Sequence, residues 1–183
     1  LDVPTQGEAF ALVDRLGDQA HFYKVGLELY TRAGPDVVRA LVERGKQVFL
    51  DLKLHDIPNT VGRAVAIASD LGVQLLTVHG AGGQTMLEAA AEGRTGDLRL
   101  LAVTVLTSMS PDEMGTVWGR DIRSVREEVG RLTGVIQDTG VDGVVASALE
   151  ASWIRKQVGP DFLVVTPGIR PAGASRDDQS RVA

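Results

Sequence analysis

Cysteine is absent from the 183 residues, which excludes disulfides and cysteine–zinc sites and fits a cytoplasmic protein. Aromatic residues make up only 4% of the chain, too few for a base-stacking platform. Positive charge is not in excess either. With 19 Lys and Arg against 24 Asp and Glu, the formal net charge is −5, so no basic footprint for nucleic acid exists. A small anionic ligand must therefore be held by local cations rather than by the overall field. No apolar run approaches the roughly 18–20 residues of a membrane span, and no stretch resembles a signal peptide. Walker loops, G-x-G-x-x-G turns and nucleophile elbows are missing as well. His79 and His21 do not make a metal site, because no second histidine or carboxylate accompanies His79 at ligand spacing, so no metal is expected.

What remains is 44% hydrophobic and long enough for one substantial core, and residues 1–183 read as a single domain. Helical and strand patterns alternate along it. Helical spacing is expected over Thr5–Leu16, from Asp36 to the stop at Gly45, and over Asn59–Leu71. Further helices are expected over Thr85–Ala91, Ser124–Asp138 and Glu150–Val158. Strand patterns cover Phe22–Leu29, the stretch opening at Lys46, Leu75–Gly80, Arg99–Leu106, Gly143–Ser147 and Phe162–Ile169. Leu1–Val3 reads as the remnant of a first strand. Thr107–Arg120 reads as an irregular loop with a helical turn at Pro111–Met114. Polar residues recur where strands end: Asp2, Lys24, Asp51, Lys53, His79, Thr107, Ser147, Arg170. A doubly wound sheet gathers ligands at one crevice, whereas a barrel draws on nearly every strand, so a (β/α)8 barrel is the expected fold.

Lys46–Thr60, KQVFLDLKLHDIPNT, is the most informative stretch. Val48, Leu50, Leu52 and Leu54 share one face at period two, and Phe49, Asp51, Lys53 and His55 share the other. Pro58 ends the strand, and Asn59 or Thr60 is expected to cap the next helix. On periodicity alone Ile57 is a core residue, and His55 braces the turn. His79 reads as a satisfied core histidine, and Trp118 and Trp153 as packing residues. Buried ion networks rarely gain stability over apolar packing, so clustered charges at a strand end favour function over structure.

DLKLHDIPNT, together with FYKVGLEL and TPGIRP, resembles the signature of the orotidine 5′-phosphate decarboxylase family. The resemblance implies a (β/α)8 barrel and decarboxylation of orotidine 5′-monophosphate to uridine 5′-monophosphate in pyrimidine biosynthesis, without a cofactor. It implies that Lys24, Asp51, Lys53 and Asp56 form a catalytic tetrad, with Lys53 the proton donor. It also implies a homodimer with shared active sites, in which Asp56, Ile57 and Thr60 reach the neighbouring subunit's site. Asp2 matches the family's first-strand Asp. Thr107 resembles the hydroxyl residue that reads the pyrimidine edge, with Ser108 and Ser110 as neighbouring alternatives and helix capping as an equal reading. Pro167 would pack beside the base, Arg170 would face the phosphate, and Gln179 would grip it from a lid. By the same resemblance an eighth strand with a Gly-Arg pair would follow Ala183. The chain is therefore expected to be a piece of a longer barrel, its first strand clipped and its eighth missing. Two other readings share the scaffold. Magnesium-dependent 3-keto-L-gulonate 6-phosphate decarboxylases and hexulose phosphate synthases have D-x-K-x-x-D but normally lack IPNT and TPGIRP. A catalytically silent phosphate-ligand binder is disfavoured by the complete tetrad and favoured by the missing eighth strand.

Overall fold

Six short strands, joined through helices, fold into one parallel sheet whose spatial order is the chain order. The computed structural model describes residues 1–169. The strands are β1 (Phe22–Gly26), β2 (Gln47–Leu54), β3 (Leu75–His79), β4 (Arg99–Val103), β5 (Gly143–Val145) and β6 (Leu163–Val165), each paired with the next. Parallel neighbours in chain order need a crossover at each step, and the helices supply it. After α1 (Gln6–Leu16), which precedes β1, these are α2 (Leu27–Ala33), α3 (Asp36–Glu43), α4 (Pro58–Asp70), α5 (Gln84–Gly93), α6 (Pro111–Trp118), α7 (Val125–Gln137) and α8 (Ala148–Arg155).

The two faces of the sheet are both apolar, as a buried parallel sheet requires. Leu50, Leu76, Leu100 and Val144 are fully buried beneath the helices, in the main core. The opposite face forms a smaller cluster of Leu101, Val103 and Val145 with Phe49, Leu106, Leu163 and Val165. Register makes it layered: Leu101, Gly143 and Leu163 align across β4–β6, and further along so do Val103, Val145 and Val165. Layering of this kind fills the interior of a barrel. Among the helices, α4 and α5 approach most closely at glycines. A Cβ on Gly62 would stand 2.9 Å from the Ala89 carbonyl oxygen, and one on Gly93 would collide with the Gly62 carbonyl.

Several expectations are corrected by this architecture. Six strands are present among the described residues rather than seven. Leu1 nitrogen donates to the Lys24 carbonyl at 2.7 Å, but Leu1–Val3 does not form a strand and Pro4 brings no amide to continue one. Strand β1 stops at Gly26, and Leu27–Leu29 open α2 instead, with Leu29 buried against the core. Strands β4, β5 and β6 are also shorter than their apolar runs, because those runs continue into the loops that wall a pocket. The loop after β4 holds a full helix, α6, because Ser110 and Glu113 form a reciprocal capping box around Pro111 at its first turn. Neither Asn59 nor Thr60 caps α4. Pro58 takes the first helical position, where its missing N–H is no loss, and Ile57 becomes the capping residue.

Candidate active site

Strand β2 is not regular. From Leu50 to Leu54 it advances four residues while β3 advances two, from Leu76 to Val78. Within this bulge Lys53 adopts φ +51°, the single non-glycine residue in the left-handed region among those described. A side-chain-bearing residue held there costs about 1–3 kcal/mol, so its surroundings must over-determine it. They do. The Lys53 amide, left out of the ladder, donates to Thr77 Oγ1 at 2.8 Å, and Thr77 Oγ1 in turn donates to Asp51 Oδ1 at 2.9 Å. Thr77 is fully buried.

Asp51 is the hub. Lys53 Nζ lies 2.9 Å from its Oδ1, and Lys24 Nζ, projecting from β1, lies 3.7 Å from its Oδ2. Lys24 Nζ also donates to Asp2 Oδ1 at 3.2 Å. The result is a row of alternating charge, Asp2–Lys24–Asp51–Lys53, along the C-terminal rim of β1 and β2. Partial desolvation alone would raise the Asp2 pKa. The Lys24 ammonium, by charge and by hydrogen bond, outweighs it and holds the Asp2 carboxyl below its ordinary value. Its outer pair, Lys24–Asp2, is exposed, and such pairs contribute little stability, so the row is poorly explained as a device for folding.

This row forms one wall of a cavity of about 440 Å³. Phe49, Val103, Val145 and Val165, from the smaller apolar cluster, line it too, as do Thr107, Thr166, Pro167 and Gly168. The layered inner face of the sheet therefore ends in a pocket lined also by charge, by hydroxyls and by a proline. Such a pocket can seat a small ligand on apolar surface and hold fixed charge against it.

Of the site residues expected from the sequence, Asp2, Lys24, Asp51, Lys53, Thr107 and Pro167 meet at this cavity. Ser110 is used as the cap of α6 and Ser108 is exposed, so of the three candidate hydroxyls only Thr107 lines the pocket. Asp56, Ile57 and Thr60 do not line it. The Asp56 carboxylate accepts from the Ile57 amide at 2.6 Å on the exposed β2–α4 turn. Ile57 is 66% exposed and so is no core residue: the turn that makes it a helix cap points it outward. Arg170 and Gln179 lie outside the described residues.

His55 stacks on His79, ring centroids 5.2 Å apart, bracing the turn after β2. His79 is half-buried at the end of β3 and not in the core. Burial lowers its pKa, with smaller contributions from His55 and Lys53. Trp118 and Trp153 both pack against the main core. Among the described residues no three His, Asp or Glu side chains converge as a metal-holding group. Thr77 was not singled out by the sequence; its signal was a lone hydroxyl in the apolar run LLTV.

Comparison with known proteins finds sequence matches over the whole chain. The family described as Orotidine 5′-phosphate decarboxylase / HUMPS matches residues 1–183. An orotidine 5′-phosphate decarboxylase of Cutibacterium acnes is 50% identical over 187 residues, covering 100% of this chain and 78% of that protein. One from Moorella thermoacetica is 47% identical over 190 residues, covering 100% and 75%. The crystal structure of orotidine 5′-phosphate decarboxylase from Lactobacillus acidophilus superimposes with a TM-score of 0.86 at 40% identity, over 94% of this chain and 80% of that one. A fold, a charged strand end and a full-length match therefore coincide, and this chain belongs to the orotidine 5′-phosphate decarboxylase / HUMPS family.

Proposed function

We propose that this chain is a carboxy-lyase that converts orotidine 5′-monophosphate to uridine 5′-monophosphate in de novo pyrimidine biosynthesis. The observation that carries the reading is the row Asp2–Lys24–Asp51–Lys53 in a pocket lined in part by apolar residues. Loss of CO₂ from the pyrimidine leaves a carbanion with no adjacent carbonyl sink. A preorganised ammonium at the reacting carbon stabilises that charge and then delivers the proton. Lys53 is assigned this role. Asp51 stands beside the departing carboxylate and holds Lys53 as ammonium, while Lys24 and Asp2 anchor the row and the ribose. Thr107 reads the pyrimidine edge and Pro167 packs on the base. Arg170 and Gln179 hold the phosphate, and that remote binding drives closure over the reacting carbon.

The full form we assign is a single-domain, closed (β/α)8 barrel acting in the cytoplasm as a homodimer. The exposed Asp56–Ile57 turn supports the dimer: neither residue lines its own pocket, and both are exposed and available to a partner's. A direct test is release of CO₂ from orotidine 5′-monophosphate by the purified protein, followed by loss of the orotate absorbance. Turnover of 3-keto-L-gulonate 6-phosphate in place of the nucleotide would assign the chain to the sugar-phosphate branch. Nucleotide binding without turnover would make it a silent binder.

A further inference from the structure

We propose that Thr77 is a positioning residue for the decarboxylation, holding both Lys53 and Asp51 through one buried hydroxyl. The inference rests on the decarboxylase reading above. Its basis is an arrangement of three hydrogen bonds around the bulge in β2. The bulge removes the Lys53 amide from the β2–β3 ladder, and Lys53 sits at φ +51°. Thr77 Oγ1 accepts that amide at 2.8 Å and donates to Asp51 Oδ1 at 2.9 Å. The same Asp51 Oδ1 lies 2.9 Å from Lys53 Nζ. One hydroxyl thus joins the main chain of the proton donor to the carboxylate that orients its ammonium.

Thr77 is fully buried, so water cannot take over its two bonds if the hydroxyl is removed. Without the hydroxyl, the left-handed turn at Lys53 loses its cross-strand tether and the Asp51 carboxylate loses a donor on the oxygen that faces Lys53. Both changes move the ammonium relative to the pocket, and catalysis of this kind is sensitive to ångström-scale displacement. Thr77 is not among the residues that line the cavity, whereas Thr107 and Pro167, assigned to the base, do line it from other loops. Binding should therefore be spared while the chemical step suffers.

The experiment compares wild type, Thr77→Val and Thr77→Ser, each normalised for folded sites by uridine 5′-monophosphate titration. Valine keeps the shape and removes the hydroxyl, whereas serine keeps the hydroxyl. The expected result for Thr77→Val is a fall in kcat of roughly 10²-fold with the uridine 5′-monophosphate Kd held within about threefold. Thr77→Ser should recover most of the lost kcat. Wild-type kcat in Thr77→Val, whether or not its Tm falls, overturns the proposal, because a merely structural hydroxyl moves stability alone. An equal loss in Thr77→Ser overturns it too, since the methyl would then be the agent. Absence of decarboxylation in wild type itself defeats the parent reading first, and this inference falls with it.

Discussion

The Lys53 ammonium lies 2.9 Å from Asp51 Oδ1, and the anion is the better buried partner: its side chain is 16% exposed against 39% for the lysine. A carboxylate is held fixed and largely dry, by Thr77 and two lysines, while the cation it orients faces the pocket. This asymmetry suits a site in which the ammonium must meet a substrate and the carboxylate must not move.

Lys53→Ala should remove the proposed proton donor and leave the rest of the pocket in place. We expect kcat to fall by roughly 10⁴-fold or more, the upper range for loss of a general acid, with little change in Tm. Single-turnover CO₂ release and thermal melting measure the two separately. A variant retaining a tenth of wild-type kcat would remove Lys53 from the chemistry.

The proposed shared site predicts complementation. Lys53→Ala and Asp56→Asn should each be nearly inactive as homodimers. In a mixed dimer one site inherits both defects and the other neither. Random pairing makes half the dimers mixed, so roughly a quarter of wild-type activity should return after subunit exchange. Exchange proved by mass spectrometry with no return of activity would place Asp56 in its own barrel.

Activity is expected to survive exhaustive dialysis against EDTA, because the lysines are assigned the charge stabilisation that a metal ion provides elsewhere. Loss on chelation with recovery on adding magnesium would move the chain to the sugar-phosphate branch of its family.

Away from the site, Glu128 should shape acid stability. It is 3% exposed. Its carboxylate accepts from Arg131 Nε at 2.9 Å and pairs with Arg120. Burial pushes its pKa up, but the hydrogen bonds and charges of Arg131 and Arg120 outweigh burial and bring it below the ordinary value of 4.5. A depressed folded pKa stabilises the fold fully above the unfolded value, and that contribution is lost as pH falls through the lower folded one. Glu128→Gln should therefore lower stability by roughly 1–3 kcal/mol at pH 7. The difference from wild type should shrink as pH drops below about 4.5, as urea melts across pH 3–7 would record. A constant difference over that range would show that charge is not what Glu128 contributes.

Much of this protein was legible in residue order. Alternating apolar patterns placed the six strands that form, because period two and period 3.6 are local properties of the backbone. The charges of DLKLHD were readable for the same reason: neighbours in sequence are neighbours on a strand. Residue order also carried Lys24, since it lies in the strand that pairs with β2, at Lys24↔Phe49. What it did not carry was the conformation of Lys53. Strict alternation assumes an unbroken ladder, and only pairing with β3 reveals that β2 holds more residues than its partner and turns left-handed there. Thr77 is invisible for a related reason, because its two bonds span 24 and 26 residues and depend on that register. Ile57 was misjudged as core because hydrophobicity alone cannot say which way a residue faces when it caps a helix. Local periodicity is written in the chain; bonds between strands exist only once the sheet has set their register.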